Sequence, residues 1–333
     1  MKAAYIEQYG PNDAVKVGFL PQPQPGPHDL LVWVRAASVN PIDLAIRSGR
    51  LKPILPYKLP LILGSDLSGE VVAVGAAITR FAVGDEVFAR LDKDRIGAFA
   101  EYALVGEKEA ALKPARLTHV EAASIPLVGL TAWQALTEIG HVGPGQKVLI
   151  QAGSGGVGSI AIQLAHSLGA EVATTVSKRN EALVRELGAQ TVIDYRTQRF
   201  DELLADQDFV LDTQGGEVLA RSFKVLRRGG TLVTINGAPT PQAVHGRKIV
   251  WPVRLALWAA HRKDYRLARQ HQVNFAYLFM RPDGKQLAVL GEMLQQGTIR
   301  PVIDRIFSLD EAREALAYSE TGRATGKVVI EVP

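Results

Sequence analysis

The spacing of apolar and polar positions divides the chain into parts with different predicted structure. Residues 1–117 hold short runs rich in β-branched side chains, separated by proline and glycine, and such runs predict strands. The predicted strands are KAAYIEQ, DLLVWVRAASV, SGEVVAVG, DEVFARL and FAEYALV. The stretch PQPQPGPHD predicts a loop, because strand patterns lie on both sides of it. The first third is therefore expected to form a β-rich, barrel-like domain.

Helical periodicity begins near Thr118, which with Glu121 has the spacing of a capping box. Apolar runs then alternate with helical patterns, and a helix is predicted from Gly156 to Leu168. The apolar runs are KVLIQAG, AEVATTVS, TVIDY, DFVLDTQ and GTLVTING. Fully apolar strands separated by helices predict a parallel sheet covered on both faces. The predicted fold class is thus α/β, with a doubly wound parallel sheet.

The last third has a less regular pattern. Residues 246–271 are expected to be helical apart from Pro252, and VNFAYLFM is a predicted strand. Two further helices are predicted, GKQLAVLGEMLQQGTI and SLDEAREALAYSETG, followed by the strand GKVVIEV. The insert from Arg247 to Met280 is longer than one strand connection needs, so we expect it to cover a cleft or to serve a dimer contact.

A glycine-rich turn joins the first apolar strand of the second part to its helix. Gly153, Gly155 and Gly158 fit G-x-G-x-x-G, and Gly156 and Val157 complete the turn. Glycines let backbone amides approach a pyrophosphate closely, and the helix N-terminus adds N–H donors and a positive dipole. The alternative is a strand–helix turn whose glycines serve packing only. The strand before the turn and the helix after it favour a dinucleotide site.

The second apolar strand ends in Ser177, Lys178 and Arg179, with Ser177 nineteen residues after Gly158. A site that prefers NAD carries an acid near this position, to bind the ribose 2′-hydroxyl. A hydroxyl and two cations instead favour the 2′-phosphate of NADP(H). The alternative is that both cations are solvated loop charges. Tyr195, which ends the third strand, is a further candidate phosphate contact or simply a strand-end residue.

Composition narrows the class of protein. The chain has 333 residues and no cysteine, which excludes disulfides and thiolate zinc sites. The start lacks the apolar core of a signal peptide, and no apolar run reaches the length of a membrane span. We therefore expect a cytoplasmic protein with no membrane association. The net charge of +4 is weak evidence for nucleic acid, so the basic stretch 258–271 is expected to be a solvated face.

Seven motifs carry a resemblance to a known family. They are AASVNPIDLAIRSG (36–49), LPLILGSDLSGEVVAVG (59–75), GAFAEYALV (97–105), AASIPLVGLTAWQAL (122–136), the glycine turn, LGAQTVIDY (187–195) and the closing GKVVIEV. Together they resemble the medium-chain dehydrogenase/reductase superfamily, in its zinc-independent quinone oxidoreductase branch. The resemblance implies a GroES-like β-barrel catalytic domain (residues 1–122), a Rossmann NADP-binding domain (residues 123–284) and a C-terminal segment (residues 285–333) that completes the first. It also implies an active site in the cleft between the domains, and homodimers through the Rossmann sheet, with VNFAYLFM as the pairing edge.

The sequence departs from the zinc enzymes of this superfamily at their metal ligands. Asn40 stands where those enzymes have a ligating cysteine, and Ser65 and Asp66 follow Gly64 where they have His-Glu. A serine hydroxyl does not replace an imidazole as a zinc ligand. The seven histidines, which show no ligand spacing, are His28, His119, His141, His166, His245, His261 and His271. No metal site is therefore expected, and alcohol dehydrogenation is disfavoured.

The resemblance also suggests residues near the reacting atoms. Asn40 is the first candidate for a polar contact at the nicotinamide or the acceptor carbonyl; the alternative is a turn residue before Pro41. Asp43 is a candidate to hold Asn40 or a basic group, or a structural residue. Some relatives carry a proton-donating tyrosine two residues after this aspartate, where this chain has Ala45. That leaves Tyr57 or water as the proton source.

Two further residues are candidate cofactor contacts. By resemblance Thr131 contacts the cofactor; the alternative is a helix residue that bonds back to its own backbone. Asn236 follows the fifth apolar strand, where the topology places the nicotinamide ribose, and its alternative is a simple turn residue.

The sequence thus predicts an enzyme that transfers hydride from NADPH to a quinone or an α,β-unsaturated carbonyl, without a metal. The cofactor carries such a reaction, and the protein supplies position and polarity. Two other functions stay open. One is a low-turnover protein that binds or senses NADPH and acts through a partner or RNA; the other, disfavoured by the missing ligands, is a zinc alcohol dehydrogenase.

Overall fold

Residues 1–244 and 249–333 are described here from a computed structural model. They form sixteen strands: β1 (Lys2–Ile6), β2 (Val15–Phe19), β3 (Asp29–Val39), β4 (Leu61–Ile62), β5 (Asp66–Val74), β6 (Glu86–Arg90), β7 (Tyr102–Gly106), β8 (Ala110–Leu112), β9 (Lys147–Ile150), β10 (Glu171–Val176), β11 (Thr191–Asp194), β12 (Gln207–Asp212), β13 (Leu226–Thr234), β14 (Asn274–Tyr277), β15 (Ile303–Ser308) and β16 (Lys327–Glu331).

The same residues form eleven α-helices: α1 (Pro41–Arg47), α2 (His119–Ala123), α3 (Pro126–Trp133), α4 (Gly156–Ser167), α5 (Glu181–Glu186), α6 (Phe200–Leu203), α7 (Gly216–Val225), α8 (Trp251–Ala260), α9 (Arg262–His271), α10 (Gly284–Gln296) and α11 (Ala312–Glu320). A π-helical turn over Gln134–Ile139 follows α3. None of the described helices is long and apolar enough to cross a membrane.

The first compact unit combines Met1–Leu130 with Arg281–Pro333. Its larger sheet has the order β15-β16-β3-β5-β6-β8, with β7 also paired to β3, and its smaller sheet has the order β2-β1-β4. The C-terminal strand β16 runs antiparallel to β3, with Val328 opposite Val39. The sheets enclose one apolar cluster to which β3, β5, β6 and β16 all contribute. Both ends of the chain therefore build this unit.

The second compact unit is Thr131–Met280. Its six strands pair only in parallel, in the order β11-β10-β9-β12-β13-β14. This is the Rossmann order, in which the direction of winding reverses between β9 and β12. Val148, Leu149 and Ile150 of β9 are completely buried, as the continuous apolar pattern predicts. The unit boundaries lie eight residues after the predicted 122 and four residues before the predicted 284.

The helical prediction over residues 246–271 needs one correction. Pro252 is the second residue of α8 and does not interrupt it, because the first turn of a helix has no internal acceptor for the N–H that proline lacks. Residues 245–248, which include His245 and the first part of that prediction, lie outside the described residues.

No pattern in the sequence predicted strand β15. β15 lies at the edge of its sheet, and three consecutive residues of this strand, Asp304, Arg305 and Ile306, are exposed. Residues 303–308 therefore lack the alternation of apolar and polar positions by which a strand is predicted from sequence.

Candidate active site

The glycine turn lies between β9 and α4, at the carboxyl edge of the parallel sheet. A Cβ on Gly153 would lie 2.1 Å from Oγ1 of Thr174, and a Cβ on Gly158 would lie 2.3 Å from the backbone oxygen of Ala152. Those two positions therefore need glycine for the packing of the turn itself. Gly155 is different, because the nearest atom to its Cβ position, again the oxygen of Ala152, is 3.4 Å away.

The N-terminus of α4 is built without a side-chain cap. Its N-cap residue is Gly155, which has no side chain to accept from the first N–H groups of the helix. The amides of Gly156, Val157 and Gly158 belong to this first turn, where a helix has no internal acceptors. Unsatisfied amides at a helix N-terminus bind anions such as a pyrophosphate. The geometry thus fits a dinucleotide, although Gly153 and Gly158 serve packing as well.

The turn after β10 lies beside the glycine turn. Nδ2 of Asn180 donates to Oγ of Ser154 at 2.8 Å and joins the two turns. Ser177 is buried, while Lys178 and Arg179 are exposed. The ammonium of Lys178 lies 2.5 Å from the carboxylate of Glu181, which therefore opposes its charge. Asn180 and Glu181 are the two neighbours that the sequence interpretation did not include.

The remaining predicted cofactor residues lie in three different places. The backbone N–H of Tyr195 donates to the oxygen of Val176 at 3.1 Å, so Tyr195 lies beside the turn that contains Ser177. Nδ2 of Asn236 donates to the oxygen of Thr213 at 3.0 Å and joins the carboxyl ends of β13 and β12. Thr131 is buried within α3. The structure thus brings Tyr195 to the turn after β10, and Asn236 to the other side of the winding reversal.

Asn40 lies in the first unit, where its side-chain amide is completely buried. Its Oδ1 accepts from Nζ of Lys327 at 2.6 Å. Its Nδ2 donates to Oδ2 of Asp66 at 2.9 Å and to the backbone oxygen of Ser38 at 3.2 Å. Both amide donors are therefore used within the unit. A direct donor contact from Asn40 to a bound acceptor would require one of these bonds to break.

Asp43 holds the backbone around Asn40. Its Oδ2 accepts from the Asn40 backbone N–H at 2.8 Å, which fixes the start of α1, and its Oδ1 accepts from Oγ of Ser65 at 3.1 Å. Asp66, at the start of β5, accepts from Oγ of Ser38 at 3.1 Å and from the backbone N–H of Leu127 at 3.0 Å. Asn40 and Asp43, predicted as a pair, are thus adjacent; their part in catalysis stays a prediction.

Two carboxyl groups and two cations are buried together around Asn40. Asp43, Asp66, Arg90 and Lys327 are each 5% exposed or less. Burial raises the pKa of Asp43 to about 7, and the nearby charge of Asp66 acts in the same direction. Burial also raises the pKa of Asp66 and lowers that of Lys327, while the attraction between these two opposes both shifts. Their charges compensate each other in a medium where a lone ion is costly.

The sequence interpretation missed Lys327 and Arg90 as members of this cluster. Lys327 stands at the first position of β16, nearly 290 residues from Asn40 along the chain, and only the pairing of β16 with β3 brings them together. No spacing rule connects positions so far apart. A lysine directly before an apolar strand reads from sequence as an ordinary exposed strand end.

The residues of this cluster do not fit a zinc ion. The positions that would ligate zinc by resemblance carry the amide of Asn40, the hydroxyl of Ser65 and the carboxylate of Asp66, without thiolate or imidazole. The ammonium of Lys327, 2.6 Å from the amide oxygen, would repel a divalent cation at that atom. Among residues 1–244 and 249–333, no group of three or more His, Asp or Glu side chains has a metal-binding arrangement.

Comparison with known proteins identifies the class to which this fold and these sites belong. The model of the alcohol dehydrogenase GroES-like domain matches residues 26–115, and that of the zinc-binding dehydrogenase domain matches residues 187–330. The chain belongs to the medium-chain dehydrogenase/reductase superfamily, in its quinone oxidoreductase-like branch. The predicted superfamily and fold class are therefore confirmed.

Three particular proteins have 35% sequence identity to the chain. The mouse mitochondrial NAD(P)H oxidoreductase RTN4IP1 aligns with 100% of this chain and 89% of its own. The tomato 2-methylene-furan-3-one reductase aligns with 99% of this chain and 79% of its own. The solved structure of the quinone oxidoreductase from Coxiella burnetii superposes with a TM-score of 0.87, over 100% of this chain and 99% of its own.

Proposed function

We propose that the chain is an NADPH-dependent oxidoreductase that reduces quinones or α,β-unsaturated carbonyls and needs no metal. The observation that carries the proposal is the contact of the Lys327 ammonium with Oδ1 of Asn40, at the positions where zinc-dependent relatives would bind their metal. An alcohol donates hydride readily only once its O–H is ionised, and the residues here do not fit the zinc that ionises it in the zinc-dependent relatives, whereas quinones and enones accept hydride directly. The quinone and furanone substrates in the names of two relatives support this acceptor class.

NADPH would supply the hydride, and the second unit would hold the cofactor. The amides of Gly156, Val157 and Gly158 bind the pyrophosphate at the N-terminus of α4. Ser177 and the side chain of Arg179 bind the 2′-phosphate, and Lys178 contributes less because Glu181 opposes its charge. The preference for the phosphorylated cofactor rests on these cations and on the lack of an acid at the end of β10.

The role of Asn40 follows from its enclosure. Lys327, Asp66 and Ser38 fix the orientation of the Asn40 amide, and Asp43 fixes its backbone, so that α1 starts in one geometry. The buried cluster thus fixes the backbone at the start of α1. The Asn40 side chain itself does not donate a hydrogen bond to the acceptor. The proton that follows the hydride then comes from water, since Asp43 has no exposed surface and the Tyr57 hydroxyl already donates to the backbone oxygen of Lys93.

The test is a panel of acceptors with the purified full chain after dialysis against a chelator. We expect NADPH oxidation with quinones or with enones, unchanged by chelation, and no reduction of NADP⁺ by primary alcohols. Loss of activity on chelation that zinc restores would contradict the metal-free mechanism. If neither acceptor class is turned over, the proposed activity is wrong and the alternative function, a protein that binds NADPH without turnover, takes its place.

We further propose that the chain forms a homodimer through the second unit. β14 is the edge of the six-stranded sheet, and its free side carries unpaired backbone groups that a second β14 would satisfy. In a sedimentation experiment we expect the protein to have twice the mass of one chain. A monomer at micromolar concentration would contradict this.

A further inference from the structure

Helix α8 presents an apolar stripe to solvent. Trp251, Leu255 and Trp258 follow one another at the i, i+4, i+7 spacing of a single helix face. They are 75%, 55% and 48% exposed, and Val250, the residue before the helix, is 65% exposed. The opposite side of the helix packs inward through Leu257. This stripe is thus an outer surface of α8 that nothing in the described residues covers.

Helix α9 continues this surface with basic side chains. Arg262 lies with its guanidinium 5.2 Å from the ring centre of Trp258, so the charged surface begins where the apolar stripe ends. Arg254 stands within the stripe, and the further exposed basic residues on α9 are Lys263, Arg266 and Arg269. The single acid of the helix pair, Asp264, is turned toward His261 at 2.9 Å.

The net charge of the whole chain comes from this helix pair. Residues 249–271 carry five basic residues and one acid, which is a net charge of +4, equal to that of the full chain. The remaining residues have equal numbers of basic and acidic side chains. The surface is therefore a local electropositive feature and not part of a generally basic protein.

We propose that the outer face of α8 and α9 binds the surface of an anionic lipid bilayer. Tryptophan and leucine insert at the boundary between headgroups and acyl chains, while arginine and lysine attract acidic headgroups. The stripe supplies the first kind of side chain and the adjoining cations supply the second. This inference departs from the expectation of no membrane association, which rested on the lack of an apolar span.

Charge argues against a second copy of the chain on this face. Two copies paired face to face through α8 and α9 would bring a net charge of +4 against +4, which disfavours their association. RNA would match the charge and could stack on the two tryptophans, but it would leave the exposed aliphatic side chains of Val250 and Leu255 without an apolar partner. An anionic bilayer complements both the charge and the aliphatic side chains.

Sedimentation with vesicles tests the proposal on the full chain. We expect binding to vesicles of 70% phosphatidylcholine and 30% phosphatidylserine, and at least tenfold weaker binding to pure phosphatidylcholine. The variant W251A/W258A should lower the affinity at least tenfold, and so should R254E/R266E. Because all four side chains are exposed, NADPH binding should stay unchanged in both variants, which shows that they are folded.

Matched controls separate this surface from general effects. Phe19→Ala removes an aromatic ring that is 80% exposed on β2, and K58E/K285E changes the net charge as much as R254E/R266E does. Both controls should bind vesicles like the unchanged chain. The proposal is wrong if no vesicle binding occurs, if the controls lose affinity equally, or if a 30-nucleotide RNA binds while vesicles do not. It is equally wrong if W251A/W258A changes only the oligomeric state.

Discussion

Lys327 is the residue on which the candidate catalytic unit depends most at the scale of single side chains. Its ammonium donates to the backbone oxygen of Val39 at 2.9 Å and to Oδ1 of Asn40 at 2.6 Å. It thereby fixes which end of the Asn40 amide faces Asp66. It also supplies one of the two positive charges that compensate Asp43 and Asp66 inside the unit.

Removal of that charge should destabilise the protein. In Lys327→Met the carboxylates keep only Arg90 as a buried partner, and the loss of one member of a buried ion cluster costs about 3–5 kcal/mol. Urea unfolding at pH 7.5 measures this cost. The double variant K327M/D66N removes one charge of each sign and should recover at least about 1 kcal/mol. A double variant with simply additive losses would show that charge balance is not the reason.

The buried carboxyl of Asp43 gives a pH dependence with a definite sign. Its pKa is about 7 in the folded chain against an ordinary value of 3.8, so the folded state retains a proton that the unfolded state releases between these values. The stability that this group contributes is complete below about pH 4 and is lost as the pH rises through 7.

Asp43→Asn should remove that slope. From pH 5 to pH 8 the free energy of unfolding of the unchanged chain should fall relative to that of the variant, in unfolding curves measured at each pH. Glu217→Gln, which changes an exposed carboxylate on α7, is the control and should run parallel to the unchanged chain. A difference between D43N and the unchanged chain that is constant with pH would contradict the assignment.

At the scale of elements, the turn between β9 and α4 separates two uses of glycine. Gly158→Ala would force a Cβ to within 2.3 Å of a backbone oxygen, so the turn must shift. Gly155→Ala meets its nearest atom at 3.4 Å and has a φ of −80°, which alanine adopts readily. We expect G158A to lower the Tm and to weaken the binding of NADPH at least tenfold. G155A should leave the Tm unchanged. Equal melting of the two variants would rule out the packing role of Gly158.

The turn after β10 should decide between the two nicotinamide cofactors. Fluorescence titration of the unchanged chain should show NADPH bound at least tenfold tighter than NADH. Arg179→Ala should lower the affinity for NADPH at least tenfold and that for NADH by no more than twofold, because only NADPH carries the 2′-phosphate. Lys178→Ala should have the smaller effect, because Glu181 already pairs with that ammonium. Equal losses for both cofactors in R179A would place Arg179 away from the phosphate.

At the scale of the whole molecule, the patterns that predicted well were continuous and local. The apolar runs predicted five parallel strands, and the capping box at Thr118 marked a helix start correctly. The contacts that join distant parts of the chain were not predictable. Lys327 reaches Asn40 only because β16 pairs with β3, and Asn180 meets the glycine turn only because β10 lies beside β9. The spacing of residues in a single sequence does not indicate which distant strands pair with one another.

The most direct test of the proposed reaction follows the hydride itself. The chelator-treated full chain should be given NADPH carrying deuterium at both C4 positions, together with a cyclic enone, and the product should be analysed by mass spectrometry and NMR. We predict one deuterium on the carbon β to the carbonyl, which is stable to exchange, and a solvent proton on the α carbon. A reduced product without deuterium at the β carbon, or turnover that appears only when zinc is added, would contradict direct, metal-free hydride transfer by this protein.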